Sequence, residues 1–277
     1  MTPQQARARA DAVMELHEAG ELEEALGEVR ALLADLEGAE LADPVLRESL
    51  FAARFEHAVL LTELGDLDAA EAAYGLAART PADLEDPDQR HEIALAALNQ
   101  GICLDAVGDH AAAVRVYAGL VDRFRDADDP VTADQVARAR VNHAAALLAT
   151  DRPAEAAQLA AEVRAELDPR DVLSSEQHVM AARVEATALG LLGRVEAALA
   201  VLADLAPVTE EDEATRLQLA AAAQERTALL LDQDRTGEAV EVLDAALVGQ
   251  DEERDPQVAE LLGELAETRV RLAGERG

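Results

Sequence analysis

Six histidines, one cysteine and a large surplus of carboxylates are the residues of this 277-residue chain best suited to chemistry. His17, His57, His91, His110, His143 and His178 form no HExxH motif and no pair four residues apart, so no helix turn offers two imidazoles to one metal ion. No GxGxxG, phosphate-binding loop or GxSxG occurs, which removes the usual backbone cradle for phosphate and the usual activated serine. Asp and Glu number 57, so no one pair of them marks a general acid and base. Cys103 lies beside Leu104 in a helical stretch, where a small buried hydrophobe is its expected role, and a lone cysteine forms no intrachain disulfide. The expectation is a protein without catalytic residues, metal or cofactor.

Charge narrows the partners. The formal net charge is -33, and all 24 bases are Arg, a usage that reads as coding bias rather than functional choice. Such a surface repels phosphate, which argues against nucleic acid and anionic membranes and admits a basic protein partner. High acidity is also a solubility device, and a solvated surface is its simpler meaning. The N-terminus, MTPQQARARADAVMEL, lacks a long apolar run, and no window offers an uninterrupted membrane span; a cytoplasmic location is expected.

The positioning elements repeat. Leu16, Leu61, Leu104, Leu147, Leu189 and Leu230 are each followed four residues later by a turn residue and nine residues later by an Ala. Those Ala residues are Ala25, Ala70, Ala113, Ala156, Ala198 and Ala239, spaced 45, 43, 43, 42 and 41 apart. Six aligned Leu at one offset in an Ala-rich chain indicate a helical repeat array. Thr2-Pro3-Gln4-Gln5 starts the first helix as a capping sequence, with an end expected at Ala19 and Gly20. A second helix is expected over Leu22 to Leu36, with Ala25, Leu26, Val29, Leu32 and Leu33 on one stripe. Asp43-Pro44, Asp86-Pro87 and Asp129-Pro130 each lie 26 residues before the next Ala, counted from the Pro, and cap the following helix. Asp168-Pro169, Pro207 and the acidic run Glu210 to Glu213 mark the later breaks. A closing helix is expected over Gln257 to Ala273, its Glu260, Glu264 and Glu267 polar enough to end an array.

Within each unit, the residue twelve before the Ala is small or slim: Val13, Ala58, Gly101, Ala144, Ala186 and Thr227. Four residues after it stand Val29, Tyr74, Tyr117, Ala160, Leu202 and Leu243. Two helices joined by a tight turn approach closely where one offers small side chains and the other fills the seam. This pattern is similar to the tetratricopeptide repeat, and Leu98 to Tyr117, LNQGICLDAVGDHAAAVRVY, carries the resemblance best. The period exceeds the common one of about 34 and resembles the longer repeats of kinesin light chains and some bacterial regulators. The resemblance implies an all-α, right-handed superhelical solenoid of about six antiparallel helix pairs plus a C-terminal capping helix. Its repeats would cover residues 2–38, 44–80, 87–126, 130–167, 174–206 and 209–249, with the cap at 256–273, in a single domain.

In such arrays the first helix of each pair lines a concave groove. The position 14 residues before each Ala should face it: Asp11, Glu56, Asn99, Asn142, Val184 and Glu225. Asn99 and Asn142 stand out, because amides on adjacent first helices could clamp the backbone of an extended peptide. Arg138 and Arg54 would add positive charge nearby, while Glu63 and Asp105 make the groove acidic. The implied function is a non-enzymatic scaffold that binds a peptide or helix of another protein. The alternative is a regulatory module whose curvature responds to a signal peptide or small ligand, and self-association through exposed Ala/Leu faces is a third reading.

Overall fold

The computed structural model describes residues 1–38, 42–205, 212–248 and 255–274. Among the described residues the regular elements are thirteen α-helices: α1 Pro3–Glu18, α2 Leu22–Leu36, α3 Pro44–Glu63, α4 Leu67–Ala78, α5 Pro87–Ala106, α6 His110–Phe124, α7 Pro130–Ala149, α8 Pro153–Glu166, α9 Val172–Leu191, α10 Val195–Ala203, α11 Glu213–Asp232, α12 Thr236–Ala246 and α13 Pro256–Gly274. Pro207, Glu210 and Glu211 lie outside the described residues. No helix among those described is long and apolar enough to cross a membrane.

The repeated Leu owes its register to a backbone motif. Gly20, Gly65, Gly108, Asp151, Gly193 and Asp234 take positive φ between 58° and 84°. This left-handed step turns the next amide back onto the helix just completed. Glu21 then donates to Leu16, Asp66 to Leu61, Asp109 to Leu104, Arg152 to Leu147, Arg194 to Leu189 and Arg235 to Leu230, through backbone bonds of 2.8–2.9 Å. One bond further on, the N–H of each register Ala donates to the carbonyl of the residue that follows the turn, opening the second helix at 2.9–3.1 Å. All six of these Ala are fully buried, at 0 % exposure.

The Asp-Pro breaks work as caps. Asp43 and Asp86 accept hydrogen bonds from the amides of Val45 and Asp88, and Asp129 and Asp255 accept from Thr132 and Val258. The first helix carries the expected reciprocal cap between Thr2 and Gln5. Asp168 does not start a helix. It accepts from the Arg170 amide inside a turn, and α9 begins three residues beyond Pro169.

Packing separates two compact units, residues 1–146 and residues 147–277. In the first, α2 packs on both α1 and α3, α4 on both α3 and α5, and α1 directly on α3. In the second, α10 packs on α9 and α11, α12 on α11 and α13, while α9 touches α11 and α11 touches α13. α2 and α4 in the first unit and α10 and α12 in the second are thus each wedged between successive first helices, as in a stack built from nearest neighbours. α13 closes the second unit by burying Val258, Leu262, Leu265 and Leu272, with Glu260, Glu264 and Glu267 exposed.

The seams follow side-chain size. Tyr117 is fully buried against Gly101, where an added Cβ would stand 2.2 Å from the Tyr117 Cε1 atom. Bulky aromatics are confined to the first unit: Phe51 stacks on Phe55 at 5.7 Å, and Phe55 meets Tyr74 edge-on at 5.5 Å. The core of the second unit is made of Ala, Val and Leu.

Candidate functional site

A helix returns to the same face every three to four residues, so spacing alone defines a stripe on each first helix. In the first unit this stripe runs through Arg7 and Asp11 on α1, Ser49, Ala52 and Glu56 on α3, Asp88, Glu92 and Asn99 on α5, and Gln135, Arg138 and Asn142 on α7. Asn99 and Asn142 occupy equivalent places on consecutive first helices, and both are partly buried.

Each asparagine is seated on a tyrosine of the preceding repeat. The Asn99 side chain meets the Tyr74 hydroxyl, and the Asn142 side chain meets that of Tyr117. Tyr117 also donates to Asp105 at 3.0 Å, and the other oxygen of Asp105 lies 3.0 Å from the Nδ1 of His110. Burial and the Asp105 carboxylate push the Tyr117 phenol well above its ordinary pKa. For Tyr74, burial also raises the value, and the neighbouring Thr62 and Asn99 side chains work against it. Both tyrosines therefore stay neutral, and each keeps a hydroxyl at its asparagine. The spacing that pairs them, 25 residues from Tyr to Asn in both repeats, is visible in the sequence.

The other candidates part company. Glu56 is engaged with His17, whose Nδ1 lies 2.5 Å from it, and Glu63 holds the opposite ring nitrogen at 3.0 Å. Asp105 is committed to Tyr117 and His110. Arg138 is exposed on α7, with its charge acting on Asp134 one turn before it. Asp11 is exposed on α1 and lines a cleft shared with α3 and α5. In the second unit, Glu225 is tied to Arg183 by bonds of 3.0 and 2.7 Å, and Arg183 also donates to Gln218. That pair occupies the stripe between α9 and α11.

Arg54 differs from the expectation that it stands near the asparagines. It donates to the Leu76 carbonyl at 3.1 Å and to Thr80 Oγ1 at 3.0 Å, both at the end of α4. Two residues along a helix rotate a side chain by about 200°, which carries Arg54 away from the face of Glu56. There it lines a 450 Å³ pocket with Leu33, Leu50, His57 and Leu76. Among the described residues, no group of three or more His, Cys, Asp or Glu is arranged to hold a metal ion. Cys103 is buried, and burial raises its thiol pKa, so it is poorly suited to act as a thiolate.

Comparison with solved structures places this geometry in a known fold. BtubC (BKLC) from P. vanneervenii superposes with a TM-score of 0.62 at 15 % identity, over 85 % of this chain and 94 % of that one. The apo quorum sensor NprR from B. thuringiensis gives 0.63 at 10 %, over 95 % and 69 %, and NprR with its cognate peptide NprX gives 0.53 at 10 %, over 98 % and 73 %. A kinesin light chain from Podosopora anserina with nearly identical tetratricopeptide-like repeats gives 0.54 at 18 %, over 74 % and 95 %. The chain has the all-helical fold of tetratricopeptide-type repeat proteins. No protein-family model matches it, and no curated protein sequence does.

Proposed function

We propose that this protein is a non-enzymatic interaction scaffold whose first-helix stripe, within residues 1–146, holds an extended peptide or a helix of a partner protein. One observation carries the reading: Asn99 and Asn142 present equivalent amides on consecutive first helices, each seated on a tyrosine hydroxyl. A primary amide offers both donor and acceptor, which suits it to a peptide unit of an extended chain. Proteins of this fold typically serve as interaction scaffolds, and the NprR structure with NprX is an instance of peptide held by such a fold. The quorum-sensor neighbour also motivates a second reading, in which a bound signal peptide changes the conformation of the stack.

The test is affinity capture from native lysate with wild-type protein and the Asn99→Ala/Asn142→Ala variant, with thermal melts to confirm that both are folded. The expected result is a partner retained by wild type and lost from the folded variant. A partner retained equally by both removes the asparagines from the site. For the second reading, a partner peptide that leaves the small-angle scattering radius unchanged counts against a conformational response.

A further inference from the structure

The cleft that contains Asp11 has an unusual lining. Arg7, Ala10 and Asp11 come from α1, Val45, Glu48, Ser49 and Ala52 from α3, and Asp86, Asp88, Gln89 and Glu92 from the start of α5, around a volume of 370 Å³. Asp86 is spent on capping α5 and on the Gln89 amide. The carboxylates of Asp11, Glu48, Asp88 and Glu92 make no hydrogen bond or ion pair with any described residue, nor does the guanidinium of Arg7. Glu92 is partly buried, and burial together with the charges of Glu48, Asp88 and Asp86 raises its pKa. These carboxylates crowd one another, and Arg7, the cation in the lining, forms an ion pair with none of them.

A second observation points into the same space. Ser49 is only 4 % exposed, lines the cleft, and its hydroxyl makes no hydrogen bond with any described residue. Its hydroxyl opens on the cleft rather than into the core, so a group that enters the cleft can reach it as donor or acceptor. The apolar part of the wall, Ala10, Val45 and Ala52, suits an aliphatic stem rather than a bare ion. No cluster with metal-ligand geometry occurs among the described residues.

We propose that this cleft is a subsite for one cationic side chain of the bound peptide, arginine above lysine, gripped by Glu48, Glu92, Asp11 and Asp88 with Ser49 at its floor. A guanidinium spreads its donors in a plane and serves several carboxylates at once, whereas an ammonium is a single point. The subsite rests on the scaffold reading above and adds a register to it. The cleft lies on the stripe that reaches Asn99 on α5, so the cationic residue enters at a fixed distance from the peptide units beside the asparagines.

The probe is a peptide array of degenerate octamers with one fixed position, occupied by Arg, Lys, citrulline or Glu, and read with the full chain at moderate salt so that diffuse attraction to the acidic surface is screened. Expected is enrichment of Arg, then Lys, at one position, with citrulline about tenfold weaker. In the isosteric Glu48→Gln/Glu92→Gln variant the enrichment disappears while the pool is still retained. Retention without preference for a cation overturns the subsite and leaves the scaffold reading standing. So does enrichment that survives the double Gln variant, or enrichment that calcium chloride abolishes and EDTA restores, which would make the cleft a metal site. If wild type retains no peptide at all, the scaffold reading falls and the subsite with it.

Discussion

The Nδ1 of His17 on α1 lies 2.5 Å from Oε1 of Glu56 on α3, while Nε2 of the same ring lies 3.0 Å from Oε1 of Glu63. One imidazole is gripped at both nitrogens by carboxylates two helical turns apart. Burial opposes its charge, but the hydrogen bonds of Glu63 and Glu56 outweigh that and raise its pKa. A raised folded-state pKa gives stability that is full below the unfolded value of about 6.5 and is lost as pH rises through the folded one. Wild type should therefore exceed His17→Gln in urea midpoint on the acid side of that value, with the gap closing as the solution becomes alkaline. A gap that widens with pH would show that the ring is held neutral.

Gly101 is the tightest point of the helix seams described above. Gly101→Ala should lower stability by about 1–3 kcal/mol, although alanine is the better helix former, because its methyl would meet the Tyr117 ring. Adding Tyr117→Leu should restore much of the loss, since the last repeat carries Leu243 and Thr227, both buried, at the positions equivalent to Tyr117 and Gly101. Denaturant melts of the double-mutant cycle measure this coupling. Additive losses would place the damage outside the Gly101–Tyr117 contact.

The left-handed turns make a comparison between residue types. Gly65→Val and Asp151→Val should each cost about 1–2 kcal/mol, since both positions hold positive φ and a β-branched side chain resists it. Asp151→Asn should be close to neutral, because Asn tolerates the same region. Equal tolerance of Val and Asn, read by thermal melting, would mean that the turn can re-form with another geometry.

Arg183 links α9 to α11 through Glu225 and Gln218. Arg183→Ala should destabilise by about 1.5–3 kcal/mol, the range for hydrogen bonds to charged groups, because it strands Glu225, whose Oε2 is already buried without a partner. Arg183→Lys should recover only part of this, since an ammonium cannot reproduce the forked contact. A full recovery in urea unfolding would reduce the interaction to simple charge.

What could be read from sequence, and what could not, separates along chain distance. The register Leu, the turn residue and the Ala lie within ten positions of one another and satisfy local needs: a carbonyl to cap, a positive φ, and a seam with room for only a methyl. Residue type at each place therefore betrays the turn, and the helix bounds of α1 and α2 follow within a residue. The candidate site depends on side chains that meet across 25 to 46 positions, such as Tyr74 with Asn99 and His17 with Glu63. In a chain with 57 carboxylates, any Glu has many plausible partners, so nothing local tells that Glu56 is engaged while Glu92 is free. The same limit misplaced Arg54, whose partners, Leu76 and Thr80, lie 22 and 26 residues downstream.

Confinement of the aromatics to one unit has an optical consequence. The chain has no Trp, and its two tyrosines, Tyr74 and Tyr117, both fall within residues 1–146. Ultraviolet emission consequently senses that unit alone, whereas far-ultraviolet circular dichroism sums the helices of both. Recorded on one sample, the two signals resolve whether the units melt together or in sequence, without any label being attached. Because the Tyr74 and Tyr117 hydroxyls sit against Asn99 and Asn142, the same emission is also an intrinsic reporter of whatever settles on those two amides.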